Sequence, residues 1–195
     1  MNILTQCKRT VLVVLSLLLY AQEADAQEQS DRKWMVEFNV LYPIYPANIY
    51  DLKIGRELWE SGDLRGEFLA GIHLRPEEFR DTEGDFRDIS VILSYRQYLW
   101  KGLNIESYNL LSNGRLNNHV TTGEDYSSFD MVNALFIGYN LEFGKAKRLY
   151  VLTQLGFARV NYKSNPWPIY EDNTLTIEED EGVFFNGGVQ IGFKF

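Results

Sequence analysis

The chain has 195 residues, is 45% hydrophobic and 24% charged, and carries a formal net charge of −8 with one cysteine. This composition fits one folded domain rather than a disordered segment, and an acidic chain without clustered Lys and Arg lacks what phosphate binding needs, which argues against nucleic acid as a partner. Cys7 lies near the start, so the rest of the chain has no disulfide framework and no thiolate metal site.

The first element holds Lys8 and Arg9, then the apolar run from Val11 to Tyr20 broken only by Ser16, then Ala24-Asp25-Ala26. Basic, greasy and small residues in that order make a secretory signal peptide, so a leader over 1–26 is expected, cleaved after Ala26, with the mature domain over 27–195. A membrane anchor fits less well, because roughly ten helical residues rise only about 15 Å, half the hydrocarbon thickness. Cys7 precedes the apolar run, whereas a lipid-accepting cysteine follows it. No later stretch approaches the length of an apolar membrane helix.

Beyond Gln27 the spacing is that of strands with two unlike faces. Eight segments are expected: 33–42, 49–59, 63–75, 87–100, 102–112, 129–143, 148–162 and 182–195. In the fourth, Ile89, Val91, Leu93, Tyr95 and Leu99 oppose Asp88, Ser90, Ser94, Arg96 and Tyr98. In the sixth, Met131, Leu135, Ile137, Tyr139, Leu141 and Phe143 oppose Val132, Ala134, Gly138, Asn140 and Glu142. In the eighth, Phe185, Val189, Ile191, Phe193 and Phe195 oppose Asn186, Gly188, Gln190, Gly192 and Lys194. The pattern weakens in the second and seventh, where Arg56 and Val160 fall on unexpected faces.

The connections alternate as well. Short turns are expected at Ser61-Gly62, Lys101-Gly102 and Gly144 to Lys147, and long loops over 76–86, 113–128 and 163–181, with a shorter first loop over 43–48. Short turns on one side and long loops on the other are the mark of an eight-stranded antiparallel up-and-down β-barrel crossing a bacterial outer membrane.

Alternation alone does not say which face looks outward, since a lipocalin-like carrier turns its apolar face inward. The polar parity holds Glu37, Asn39, Lys53, Glu57, Arg65, Glu67, His73, Arg96, Glu106, Asn140, Glu142, Gln190 and Lys194, charges of both signs that suit a lumen of ion pairs. Aromatics gather near strand ends: Trp34, Trp59, Trp100, Phe143, Tyr150 and Phe193 toward the short turns, and Tyr42, Tyr45, Tyr50, Phe157 and Tyr162 toward the long loops. Two such belts are expected where hydrocarbon meets headgroup. An open sheet would leave unpaired amides in lipid, and closure removes that cost.

The last strand, Val189-Gln190-Ile191-Gly192-Phe193-Lys194-Phe195, alternates to a terminal aromatic. It resembles the recognition strand read by the outer-membrane barrel assembly machinery. In strand number, turn alternation and this strand, the chain is similar to the small eight-stranded outer-membrane barrels, such as outer-membrane protein X and the barrel domain of outer-membrane protein A. The resemblance implies fold and location, and carries over no catalytic residue.

Chemistry is sparse, with two histidines. His73 with Ser90 or Ser94 on the adjacent strand imitates a nucleophile and base, but a third group must hold the base. The alternative is a luminal histidine within the charge network, and the His-Ser-Asn cluster of outer-membrane deacylases is not evident. His119 falls in the loop after the fifth strand. Glu171, Asp172, Glu178, Glu179, Asp180 and Glu181, with Lys163 nearby, form an acidic loop that either binds a hard cation or is a solvated tip. Trp167 between Pro166 and Pro168 is either a partner contact or a lid over the barrel mouth. Glu67 with Arg65 or Arg96 suggests paired-carboxylate glycosidase chemistry, for which so narrow a lumen offers no cleft. Gly187-Gly188 lies within a strand and makes room for neighbours rather than cradling phosphate.

The expected function is a non-enzymatic outer-membrane barrel of the cell envelope, with no cofactor, metal or catalytic residue assigned, whose outer loops serve surface interaction or membrane integrity. The alternatives are a lipid-modifying acyl hydrolase or transferase of the outer membrane, and a soluble periplasmic carrier.

Overall fold

A computed structural model describes residues 33–44, 48–80, 84–164 and 183–195. The expected leader over 1–26, Tyr45, Trp167 and the acidic loop from Glu171 to Glu181 lie outside these residues. Eight strands form one closed antiparallel barrel in sequence order, with the last pairing back onto the first. They are β1 (Trp34–Asn39), β2 (Tyr50–Ser61), β3 (Leu64–Arg80), β4 (Gly84–Trp100), β5 (Leu103–Asn117), β6 (Tyr126–Phe143), β7 (Leu149–Lys163) and β8 (Val183–Lys194).

The two parities separate as the sequence predicts. Ile89, Val91, Leu93 and Tyr95 of β4, Leu135, Ile137, Tyr139 and Leu141 of β6, and Phe185 of β8 are exposed on the outside. Glu37, Lys53, Glu67, Arg96, Glu106 and Gln190 are buried within. The barrel thus exposes many large apolar side chains outside and buries a network of ion pairs inside, beside apolar residues such as Leu69, Ile92 and Leu152.

Arg56 lies on the outside of β2 with its guanidinium over the Trp34 ring, 5.3 Å from the centroid. Val160 keeps the inward phase of Tyr150, Leu152, Gln154 and Ala158, because the register of β6 and β7 shifts only beyond it, between Met131 and Val132. The extra residue there, Asn161, gives its amide to Asn133, whose amide reaches Asn109 at 2.5 Å; Asn109 donates to the Leu93 carbonyl at 3.1 Å. This outward ladder satisfies polar groups among themselves on an otherwise apolar face.

At the short-turn end, two register shifts add a residue to β2 between Glu57 and Trp59 and to β4 between Tyr98 and Trp100. A bulge breaks the strict alternation of a strand. It lets the consecutive pairs Leu58 with Trp59 and Leu99 with Trp100 all remain exposed. Trp59 Nε1 donates to the Tyr95 hydroxyl at 3.3 Å, which donates to Gln97 at 2.9 Å. The Trp59 ring lies across Gly66, where a Cβ would come within 2.4 Å of Nε1.

Three expectations need correction. The loop over 76–86 is largely strand and that over 113–128 is half strand, since β3 reaches Arg80, β4 begins at Gly84, β5 runs to Asn117 and β6 begins at Tyr126. Pro76 does not end β3, because the register slips between Arg75 and Glu78 and absorbs the missing donor. The extension carries its own core of Phe86 and Leu116 with Tyr126 packed against them.

Tyr150 is not a belt residue. It is fully buried in the lumen, and its hydroxyl donates to Glu37 Oε1 at 2.6 Å. Gly192 opposite makes room for it, since a Cβ there would sit 2.1 Å from the ring. Tyr42 likewise turns into the barrel mouth and donates to Asn186 at 3.1 Å. Burial and the Asp51 carboxylate push its phenol up, so it stays a neutral donor. Trp34, Trp59, Trp100 and Phe143 at one end, and Tyr50, Phe157 and Tyr162 at the other, are exposed.

Candidate functional site

The middle of the lumen is filled by a plug to which every strand contributes. Arg96 of β4 is its centre and has no exposed surface. Its Nη1 and Nη2 reach the two oxygens of Glu37 at 2.5 and 2.9 Å, a bidentate pair. Its Nε and Nη2 meet Glu106 Oε2 at 2.8 and 2.6 Å, and Nη1 meets Glu67 at 3.1 Å. Lys53 bridges Glu37 at 2.9 Å and Glu106 at 3.2 Å. Gln154 donates to Glu106 at 2.7 Å.

A second tier lies toward the short turns. Arg65 meets Glu67 and Glu142, each at 3.3 Å, and stacks on Tyr98 at 3.7 Å from the ring centroid. Lys194 of β8 meets Glu142 at 2.6 Å, while Asn140 donates to the Tyr98 hydroxyl at 2.8 Å. Glu37, Glu67, Glu106 and Glu142 are matched in number by Lys53, Arg65, Arg96 and Lys194. Charges withdrawn from water are tolerated because each meets opposite partners, two or more for all but Lys194, which among the described residues meets Glu142 alone. The plug holds Arg65, Glu67 and Arg96 in ion pairs with one another.

Toward the long loops the lumen opens into a cavity with unlike walls. His73 and Asp88 line the side made by β3 and β4, with Asp51 paired to His73 and Ser90 and Ser112 hydrogen-bonded to Asp88, and Tyr108, Val132, Ala134, Ala158 and Phe184 line the other. Tyr108 and Phe136 meet edge to face at 5.9 Å.

The sequence-level pair of His73 and Ser90 is brought together: they are opposite in the β3–β4 register. Sequence reasoning missed the third group, Asp51, which places Oδ1 2.6 Å from His73 Nδ1. Its signal was present, since Asp51 and His73 are cross-strand partners on the polar parity. Yet the Ser90 hydroxyl donates to Asp88 at 2.8 Å, and Asp88 also accepts from Ser112 at 2.7 Å. Its proton is therefore committed to a carboxylate rather than to the imidazole, and the neighbouring amides are spent on the sheet ladder instead of an oxyanion. Ser94 is buried further along β4, at the level of Leu69 rather than His73.

His119 is structural. Its Nδ1 lies 3.1 Å from Thr122 Oγ1 and accepts from the Thr122 amide at 3.2 Å, and its ring meets Tyr126 edge on. Among the described residues no group of three or more His, Cys, Asp and Glu side chains is arranged to hold a metal ion. The variants Ser90→Ala and His73→Ala are expected to leave the acyl-chain profile of the host membrane unchanged. Loss of a chain-shortened lipid in both would restore the hydrolase reading.

No family model, curated protein or solved structure matches the chain.

Proposed function

We propose that this chain is a non-enzymatic β-barrel of the bacterial outer membrane, exported with the leader over 1–26 and inserted with its long connections outward. The supporting observation is the girdle of exposed Leu, Ile, Val and Phe around a cylinder whose middle holds a buried network of ion pairs. Water would penalise such a girdle and hydrocarbon would not. The assembly machinery would engage β8 and the Phe195 that follows it, since Phe185, Ile191, Phe193 and Phe195 share the outward parity.

The plug of interlocked ion pairs suits a mechanical and barrier role rather than general diffusion, with the outer extensions of β3 to β6 available for surface contacts or membrane integrity. A soluble carrier fits less well, because its apolar lumen would be needed where Arg96 and its carboxylates stand. Cell fractionation with gel mobility before and after boiling tests the reading. The protein should require detergent for extraction and run at a different mobility unheated. Recovery in the soluble periplasmic fraction without detergent would refute it.

A further inference from the structure

Rows of outward side chains run across β4, β5 and β6 toward the long-loop rim. Val91, Leu111 and Met131 form one row, Ile89, Asn113 and Phe129 the next, and Arg87 and Arg115 stand opposite each other in the row beyond. Ile89, Val91, Phe129 and Met131 are exposed, so the two arginines cap the apolar band. Like charges directly opposed on one sheet face repel. Among the described residues, neither guanidinium has a carboxylate within salt-bridge distance. The outward carboxylate two positions along β4, Asp85, accepts from Asn118 at 3.1 Å.

We infer that Arg87 and Arg115 clamp the phosphate of a lipid headgroup in the leaflet facing the long loops, an inference that rests on the membrane reading above. An anion between the two forks turns their repulsion into attraction, and guanidinium geometry suits phosphate oxygens. The depth is also suitable. The Phe129 and Tyr162 rings lie with their centroids 6.4 Å apart, both exposed in the aromatic belt that marks the hydrocarbon boundary. Arg115 is paired two positions beyond Phe129, about 7 Å along a strand and about 5 Å along the axis of a barrel with strands tilted at 35–45°. That is headgroup depth, and the exposed Ile89 and Val91 beneath it give the acyl chains a surface that free phosphate would not use.

The test uses the protein extracted from membranes into phosphate-free maltoside micelles, with native mass spectrometry counting retained lipid. The barrel should retain phosphatidic acid at least tenfold better than phosphatidylcholine, and millimolar inorganic phosphate should not displace it. Arg87→Gln with Arg115→Gln should abolish the preference, Arg87→Gln alone should reduce it, and Arg56→Gln at the opposite rim should preserve it. Gel mobility before boiling would verify that each variant is folded. An undiminished preference in the folded double variant, or full displacement by inorganic phosphate, would overturn the clamp. A detergent-dependent barrel with no lipid preference would refute the clamp alone, whereas a protein monodisperse without detergent and bound to neither lipid would refute the membrane reading as well.

Discussion

Replacing Arg96 with Met is expected to destabilise the barrel by roughly 3–5 kcal/mol, the usual cost of removing one partner from a buried ion network. The size follows from what would remain. Glu37, Glu67 and Glu106 all point at the guanidinium, and only Lys53 and Arg65 would be left to neutralise them. Urea unfolding of the barrel in lipid vesicles, followed by tryptophan fluorescence, gives the shift in midpoint. Arg96→Met combined with Glu37→Gln and Glu106→Gln should recover part of the loss, because uncharged amides need no counter-ion. A single variant as stable as the parent would mean that the plug is solvated rather than sealed.

The same network explains why so much of the architecture was legible in the sequence. A strand that crosses between a lumen of ion pairs and an apolar exterior tends to alternate, and burial alternates through the middles of β4, β6 and β8, although Ile92 and Phe136 put apolar side chains on the buried parity. The failures arose where apolar residues occupy both parities or where bulges reset the phase. In β7, Val151 and Leu152 are both apolar, so Tyr150 could be read onto either face. The space left by Gly192 on the neighbouring strand decides that it turns inward.

The strand ends are hidden from local sequence for a different reason. Pro76, Asn113 and Gly114 are turn-forming residues, and local preference alone would end β3 and β5 there. A register slip near Pro76 and the packing of Phe86 on Leu116 carry the strands further. Long-range packing of this kind has no local signature. The candidate site was half visible: His73 and Ser90 were found from parity, but that Asp88 would take the serine proton depends on side-chain geometry.

Lysine in place of Ile137 should discriminate most sharply between a barrel in lipid and a barrel in water. Ile137 lies well inside β6 on the outward face, 56% exposed, with Ile105 and Leu155 beside it in the register. In water, Lys at such a site changes stability by no more than about 0.5 kcal/mol, as for most surface substitutions. Near the bilayer midplane it costs about 2–4 kcal/mol, and near an interface only about 0–1 kcal/mol, because the long side chain reaches the headgroups. Leu64→Lys, at the exposed short-turn end of β3, is therefore the matched control. Unfolding in phosphatidylcholine vesicles should show a large loss for Ile137→Lys and a small one for Leu64→Lys. Equal and negligible losses would place the apolar girdle in water and remove the physical basis for a membrane location.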